Sequence, residues 1–239
     1  MSLADRVVMV VGAGRGIGRA AAEMFAGAGA RLVLASRGEA ELFELESALE
    51  RRWGAGALSV PTDATRAEDV ARLVSEAVGR FGRVDTLVYT AGAGALKPFR
   101  ETTEEEFERL WAVNVRGAFL LCQAVLPLME QQRGGHVVAV PGILGRAPMA
   151  QAAAYCASKY ALTGMLKSLA LEYRRAGVRF SLLHLGGVNS TFWDSISMRV
   201  QRERMLTVEA AARAVFFAAS QEGEGVLNEI VLQPESHQL

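Results

Sequence analysis

Short continuous apolar runs alternate with longer amphipathic ones along almost the whole chain, and few architectures accommodate that rhythm. The apolar runs, rich in Val and Leu, fall at 6–11, 31–35, 57–60, 86–89, 136–140, 179–185 and 227–232. Runs with helical spacing occupy 16–28, 39–52, 66–81, 103–133, 152–173 and 208–219. A strand that is apolar on both faces belongs inside a parallel sheet covered by helices above and below. Crossovers between parallel strands are right-handed, so the expected fold is α/β: one doubly wound parallel sheet of about seven strands with helices on both faces. No linker, repeat or low-complexity tract divides the sequence, and residues 1–239 read as a single domain. With 51% apolar residues the chain can bury a sizeable core.

Charge and cysteine usage narrow the partners. Lys plus Arg equals Asp plus Glu at 26 each, so no net field draws the chain to nucleic acid or to an acidic membrane. Cys122 and Cys156 supply neither a disulfide framework nor metal-ligand spacing, which points to a reducing cytoplasm and to no metal. No uninterrupted apolar run reaches the ~18 residues of a membrane span. The amino-terminal Met-Ser-Leu-Ala-Asp-Arg lacks the apolar stretch of a secretion signal.

Two irregular stretches break the alternation. Residues 90–97 follow the fourth apolar run and residues 186–206 follow the sixth. Ligands of open parallel sheets bind beyond the carboxyl ends of the strands, where such loops lie. The later stretch, at about 188–206, is read as a short substrate lid.

The first run leads directly into Gly12-Ala13-Gly14-Arg15-Gly16-Ile17-Gly18, and a helical pattern follows. Small residues at such a turn let the backbone approach a pyrophosphate, which the helix N-terminus then stabilises. The G-x-G-x-x-G spacing fails because Ile17 stands where a third glycine is needed; Gly12, Gly16 and Gly18 satisfy G-x-x-x-G-x-G instead. A tight strand-to-helix turn would by itself explain the glycines. Their place after the first strand of an alternating chain argues for dinucleotide binding. The second run ends in Ser36-Arg37. A carboxylate at this point holds the ribose 2′-hydroxyl of NAD, whereas Arg accommodates a 2′-phosphate. Ser36 in the carboxylate's place, with Arg37 beside it and Arg15 in the loop, favours NADP(H) over NAD(H).

Tyr155 and Lys159 lie four residues apart in Tyr-Cys-Ala-Ser-Lys, within a helical run. Residues i and i+4 share a helix face, so the phenol and the ammonium can act together. A neighbouring cation favours the phenolate and lowers its pKa, making Tyr155 a candidate acid or base.

Taken with the glycine loop, this pair makes the chain resemble the short-chain dehydrogenase/reductase family over almost its whole length. Gly12, Gly16 and Gly18 match the family's coenzyme loop. Asp63 in Pro-Thr-Asp-Ala-Thr looks like the acidic residue that meets adenine, and Asn114 in Asn-Val-Arg-Gly matches the catalytic Asn. Tyr155 and Lys159 match the central pair. The resemblance also places Ala91 and Gly92 after the fourth strand, and Val188 and Thr191 after the sixth, beside the coenzyme. It implies a Rossmann-like fold, a small carbonyl or alcohol substrate, and a homodimer or homotetramer built through the long helices at 113–129 and 154–173. Those helices are apolar on more than one face, which burial against another subunit would satisfy.

Several positions depart from the family pattern. Its Asn-Asn-Ala-Gly reads Tyr89-Thr90-Ala91-Gly92, so a side chain that supports the central strands has become a hydroxyl. Its Pro-Gly after the sixth strand reads Gly186-Gly187, which is expected to loosen the backbone near the nicotinamide. Aligned from Tyr155, Gly142 occupies the place of the catalytic Ser, and Pro141 that of a common second Ser.

In the mechanism the resemblance implies, Tyr155 protonates a substrate carbonyl, Lys159 lowers the Tyr155 pKa and binds ribose, and Asn114 holds a water that relays protons. Losing one oxyanion donor costs about 2.7–4 kcal/mol, or about 10²–10³ in rate. The first reading is therefore a functioning NADP(H)-dependent oxidoreductase. The alternatives are a catalytically weakened NADP(H)-binding protein with a regulatory role, and a different reaction on the same fold. His136 and His184 lie in strands and read as hydrogen-bonded core or rim residues, although His184 approaches the coenzyme end of the sheet.

Overall fold

Seven strands form one sheet in the computed structural model, which describes residues 3–236. They are β1 (Val7–Val11), β2 (Arg31–Ser36), β3 (Ala57–Pro61), β4 (Thr86–Tyr89), β5 (Gly135–Ala139), β6 (Val178–Leu185) and β7 (Glu229–Leu232). Residues 1–2 and 237–239 lie outside the described residues, and with them the tip of the amino-terminal segment and both ends of the 1–239 single-domain expectation. The spatial order is β3-β2-β1-β4-β5-β6-β7, with every pairing parallel. Chain order reverses between β1 and β4, where a crevice opens beyond the strand ends. Val11 sits level with Ala35 on one side and Tyr89 on the other, so the three strands end together at that crevice.

The helices are α1 (Gly16–Gly27), α2 (Glu39–Trp53), α3 (Ala67–Phe81), α4 (Glu104–Trp111), α5 (Gly117–Gln131), α6 (Ala153–Glu172) and α7 (Val208–Ala219). Alternate residues of β1 serve two cores. Val8 and Val10 pack with α1, α2 and α7, while Val7, Met9 and Val11 pack with α3, α5 and α6. That two-sided burial is why the strands read as continuous apolar runs. Helix ends follow local chemistry. Thr103 and Glu106 form a reciprocal capping box at the start of α4, and Gly54 and Gly82 terminate α2 and α3 in left-handed conformation.

The expected single helix at 103–133 is interrupted by a π-helical turn, Ala112–Arg116, between α4 and α5. At this turn the Val113 carbonyl accepts a hydrogen bond from the Tyr89 hydroxyl. A side chain on Gly117 would collide with that hydroxyl, its Cβ falling 2.7 Å away. Tyr89 and Gly117 are thus fitted to one another. Glu104–Gln131 is long and apolar enough by length and composition to cross a membrane. Leu121, Val125, Leu126 and Met129 of α5 are instead buried against the sheet.

Candidate active site

Beyond the carboxyl ends of the strands lies a cleft of about 1030 Å³. The glycine-loop residues Gly12, Gly14, Arg15, Gly16, Ile17 and Gly18 line it, as do Ser36, Arg37, Asp63, Ala91, Gly92, Tyr155, Lys159, Val188 and Thr191. Asn114 is fully buried behind the wall that these residues make.

The loop is compressed against the end of β4. Gly12 has φ 95°, and a Cβ there would lie 2.7 Å from both the Ala91 nitrogen and Thr90 Oγ1. A Cβ on Gly18 would lie 2.1 Å from the Gly12 carbonyl oxygen. Bare backbone therefore faces the cleft at the start of α1. No side chain caps that helix, and its first turn carries no acidic residue. Uncompensated N–H groups at a glycine-lined helix N-terminus fit a pyrophosphate. Arg15 and Arg37 are exposed at the same end of the cleft, and neither is paired with a carboxylate among the described residues. The Ser36 hydroxyl donates to the Gly38 carbonyl at 3.3 Å and would contact any side chain on Gly14, whose Cβ would fall 2.8 Å from Oγ. Asp63 accepts from the backbone and hydroxyl of Thr65 at 2.9 and 2.8 Å, which fixes its carboxylate at the rim. These residues fit a dinucleotide.

At the other end, α6 presents Tyr155 and Lys159 to the cleft. The Lys159 ammonium donates to the Val140 carbonyl at 3.3 Å and lies 5.7 Å from the Tyr155 ring centroid. Burial pushes the Lys159 pKa down to about 8. Burial, with Cys156 adjacent, pushes the Tyr155 phenol up. The expected lowering of Tyr155 by Lys159 is absent from this geometry, because the ammonium serves the 140 carbonyl and desolvation dominates. Asn114 Oδ1 accepts from the Ala93 nitrogen, and its Nδ2 donates to the Ala93 carbonyl and to Ser158 Oγ, each at 2.9 Å. A Cβ on Gly92 would sit 3.3 Å from Lys159 Nζ and 3.4 Å from Asn114 Oδ1, so glycine leaves open the space between them.

Position 142 differs from a serine with its hydroxyl removed. Gly142 has φ 75° and ψ 172°, a region that only glycine populates readily. Its nitrogen donates to the Leu183 carbonyl at 3.2 Å. A side chain would find room, its nearest neighbour being the Leu185 oxygen at 3.7 Å, but the backbone itself would be strained.

Two other departures are compensated. The Thr90 hydroxyl donates to the Val11 carbonyl at 3.0 Å, tying β4 to β1. The expected loosening at Gly186-Gly187 is not found. A Cβ on Gly186 would lie 2.8 Å from Pro234 Cδ, too close for a side chain, while one on Gly187 would meet only the Met205 side chain, at 3.3 Å. The Gly186 nitrogen is bonded to the Leu232 carbonyl at 2.8 Å.

The segment from Val188 to Leu206 lines one side of the cleft and is pinned at its base, where the two residues form a parallel bridge. Within it Arg202 reaches Asn189 Oδ1, the Ser190 carbonyl and Asp194 Oδ1 at 2.9, 2.9 and 2.7 Å. The Phe192 ring lies 5.9 Å from that of Tyr155. Leu96, Ile143 and Leu144, with Met149, Trp193 and Met198 against them, form a third apolar cluster around Tyr155.

Sequence reasoning missed Ser158 and Arg202. The Ser158 hydroxyl donates to the Tyr155 carbonyl at 2.8 Å while accepting from Asn114, so it joins the two residues. Its i+3 spacing from Tyr155 was the available signal. Arg202 left none, since its three partners converge only through the folding of an irregular loop.

Known proteins resemble the chain over nearly its full length. It is 33% identical over 238 residues to a sepiapterin reductase of Chlorobaculum tepidum, covering 96% of each protein. The structure of an alcohol dehydrogenase from the archaeon Thermococcus sibiricus, complexed with 5-hydroxy-NADP, superposes with a TM-score of 0.90 at 26% identity, covering 98% of both chains. A metagenomic short-chain oxidoreductase in complex with NADP gives 0.85 at 31% identity, over 98% of this chain and 99% of that one. Residues 6–201 match the family model described as short chain dehydrogenase, and the chain belongs to that family.

Proposed function

We propose that this protein is an NADP(H)-dependent oxidoreductase that interconverts a carbonyl and an alcohol on a small, largely apolar substrate. The observation that carries the reading is the convergence of an uncapped glycine-lined helix N-terminus, two arginines with no carboxylate partner among the described residues, and the Tyr155–Lys159 pair on one cleft. Two structural neighbours, one in complex with 5-hydroxy-NADP and one with NADP, support the same coenzyme.

A nicotinamide coenzyme held in this cleft would supply the hydride for reduction of a carbonyl. Tyr155 gives its phenolic proton to the carbonyl oxygen. Lys159 places positive charge beside the phenol and stabilises the phenolate left behind. Asn114 and Ser158 fix the loop after β4 and the start of α6 in register. Arg37 and Arg15 receive the 2′-phosphate, and Asp63 meets the adenine. The apolar cluster around Tyr155 excludes water and receives the organic part of the substrate.

The two thiols are free and buried, consistent with a reducing cytoplasm. Leu171 is 75% exposed and Phe119 48% exposed on α6 and α5, and a homodimer or homotetramer would cover them. A second reading, a weakened coenzyme-binding protein with a regulatory role, draws on Gly142, whose conformation leaves no serine hydroxyl at the reacting oxygen. Titrating the protein with NADPH and NADH, followed by Trp fluorescence and melting temperature, tests what both readings share. NADPH should bind more tightly, and a protein that binds neither coenzyme at millimolar concentration would remove both readings.

A further inference from the structure

We infer that His184 is a positioning residue of this site: a buried imidazolium that donates from both ring nitrogens and fixes the Val140-Pro141-Gly142 turn standing where the serine would be. Its effect on turnover rests on the oxidoreductase reading above.

The His184 side chain has no exposed surface. Its Nδ1 lies 3.2 Å from the Gly142 carbonyl oxygen, and its Nε2 lies 3.0 Å from Glu229 Oε2 on β7. Both partners are acceptors. A neutral imidazole carries one N–H and can satisfy only one of them, so two such contacts require a proton on each nitrogen. Glu229 does not supply the missing proton itself. Lys167 Nζ on α6 lies 2.6 Å from Oε1, and Arg146 after the 143–145 turn lies 3.7 Å from Oε2. The Lys167 bond is the main cause holding the Glu229 carboxyl below its ordinary range. The buried cation is thereby paired, as burial of a charge demands.

The consequence lies at the turn. His184 holds the carbonyl of residue 142, and Lys159 holds that of residue 140 at 3.3 Å. The Gly145 nitrogen also donates to the Gly142 oxygen at 3.1 Å. A glycine-only conformation persists when its surroundings over-determine it. Here the cationic bonds on either side of Pro141 do so, which sets the wall facing Tyr155.

Nitrogen-15 spectra of the histidine rings in the full-length protein near neutral pH test the protonation directly. The expected result is two protonated nitrogens on His184, returned to a neutral ring by Glu229→Gln. Turnover tests the positioning. An Asn amide falls where Nδ1 stood and a Gln amide where Nε2 stood. His184→Asn should therefore keep kcat within about threefold, and His184→Gln should lose about tenfold or more, with NADPH affinity unchanged in both. A purely structural role would not rank Asn above Gln. A neutral His184 in the wild type, or equal kcat in the two variants, overturns the inference. An imidazolium in a wild type without turnover would instead remove the oxidoreductase reading, and the positioning role with it.

Discussion

The buried ammonium of Lys159 donates to the carbonyl of Val140 and not to the phenol of Tyr155, whose ring centroid is 5.7 Å away. The pair is aligned on one helix face, yet each group is tuned by burial: the ammonium toward neutrality and the phenol toward protonation. A phenol so held keeps its proton at neutral pH, as the donor role proposed for it in reduction requires.

The depressed Lys159 fixes a pH dependence. Its charge is present below about pH 8 and lost above it. For reduction, kcat/KM should be level below about 8 and fall at higher pH, since that ratio reports groups of the free enzyme. Lys159→Arg, whatever its absolute rate, should show no such limb. The stability sign follows from the same shift. Between about 8 and the ordinary 10.5 the folded state binds fewer protons than the unfolded chain, so this residue's contribution to stability rises with pH across that window. Melting temperatures of the wild type and Lys159→Met across the window check it.

Gly142 should resist restoration of the serine. At φ 75° and ψ 172° any side chain costs about 1–3 kcal/mol. Gly142→Ser and Gly142→Ala should lower the melting temperature alike, with no gain in rate from the hydroxyl. A Gly142→Ser protein that is as stable as wild type and about a hundredfold faster would show that the turn readily adopts a serine-bearing shape.

Phe192 and Gly94 meet at the proposed substrate end of the cleft. A Cβ on residue 94 would lie 2.2 Å from Phe192 Cζ, the free end of a side chain that can swing away. Gly94→Ala should leave stability and NADPH affinity unchanged and displace the ring from Tyr155. KM for apolar carbonyl substrates should rise by about tenfold. Steady-state kinetics on the variant decide the point.

Coenzyme choice should follow Arg37. The guanidinium is exposed at the cleft with no carboxylate partner among the described residues. Arg37→Ala should weaken NADPH by about ten- to a hundredfold, the worth of a hydrogen bond to a charged group, and leave NADH unchanged. Calorimetric titration with both coenzymes measures the difference.

The sheet and its two helical layers were legible because strands buried on both faces have to be apolar throughout, as Val7 to Val11 are. The glycine loop was legible because Gly12 and Gly18 occupy places where a Cβ has no room. Local spacing could not show the π-turn at 112–116, since its Val113 carbonyl is satisfied by Tyr89, 24 residues away. Nor could it show the role of His184, whose partners Gly142 and Glu229 are 42 and 45 residues distant. The packing that requires Gly186 comes from Gln233 and Pro234, which meet it only in the folded chain.

Oxidation of NADPH in the presence of a panel of apolar ketones and aldehydes, run side by side on wild type and Tyr155→Phe, bears most directly on the proposed reaction. The wild type should consume coenzyme with at least one carbonyl, and Tyr155→Phe should lose about 10²–10⁴ in rate while still binding NADPH. Equal rates in the two proteins would contradict Tyr155 as the proton donor. NADPH bound without turnover on any carbonyl would contradict the oxidoreductase assignment and favour the regulatory one.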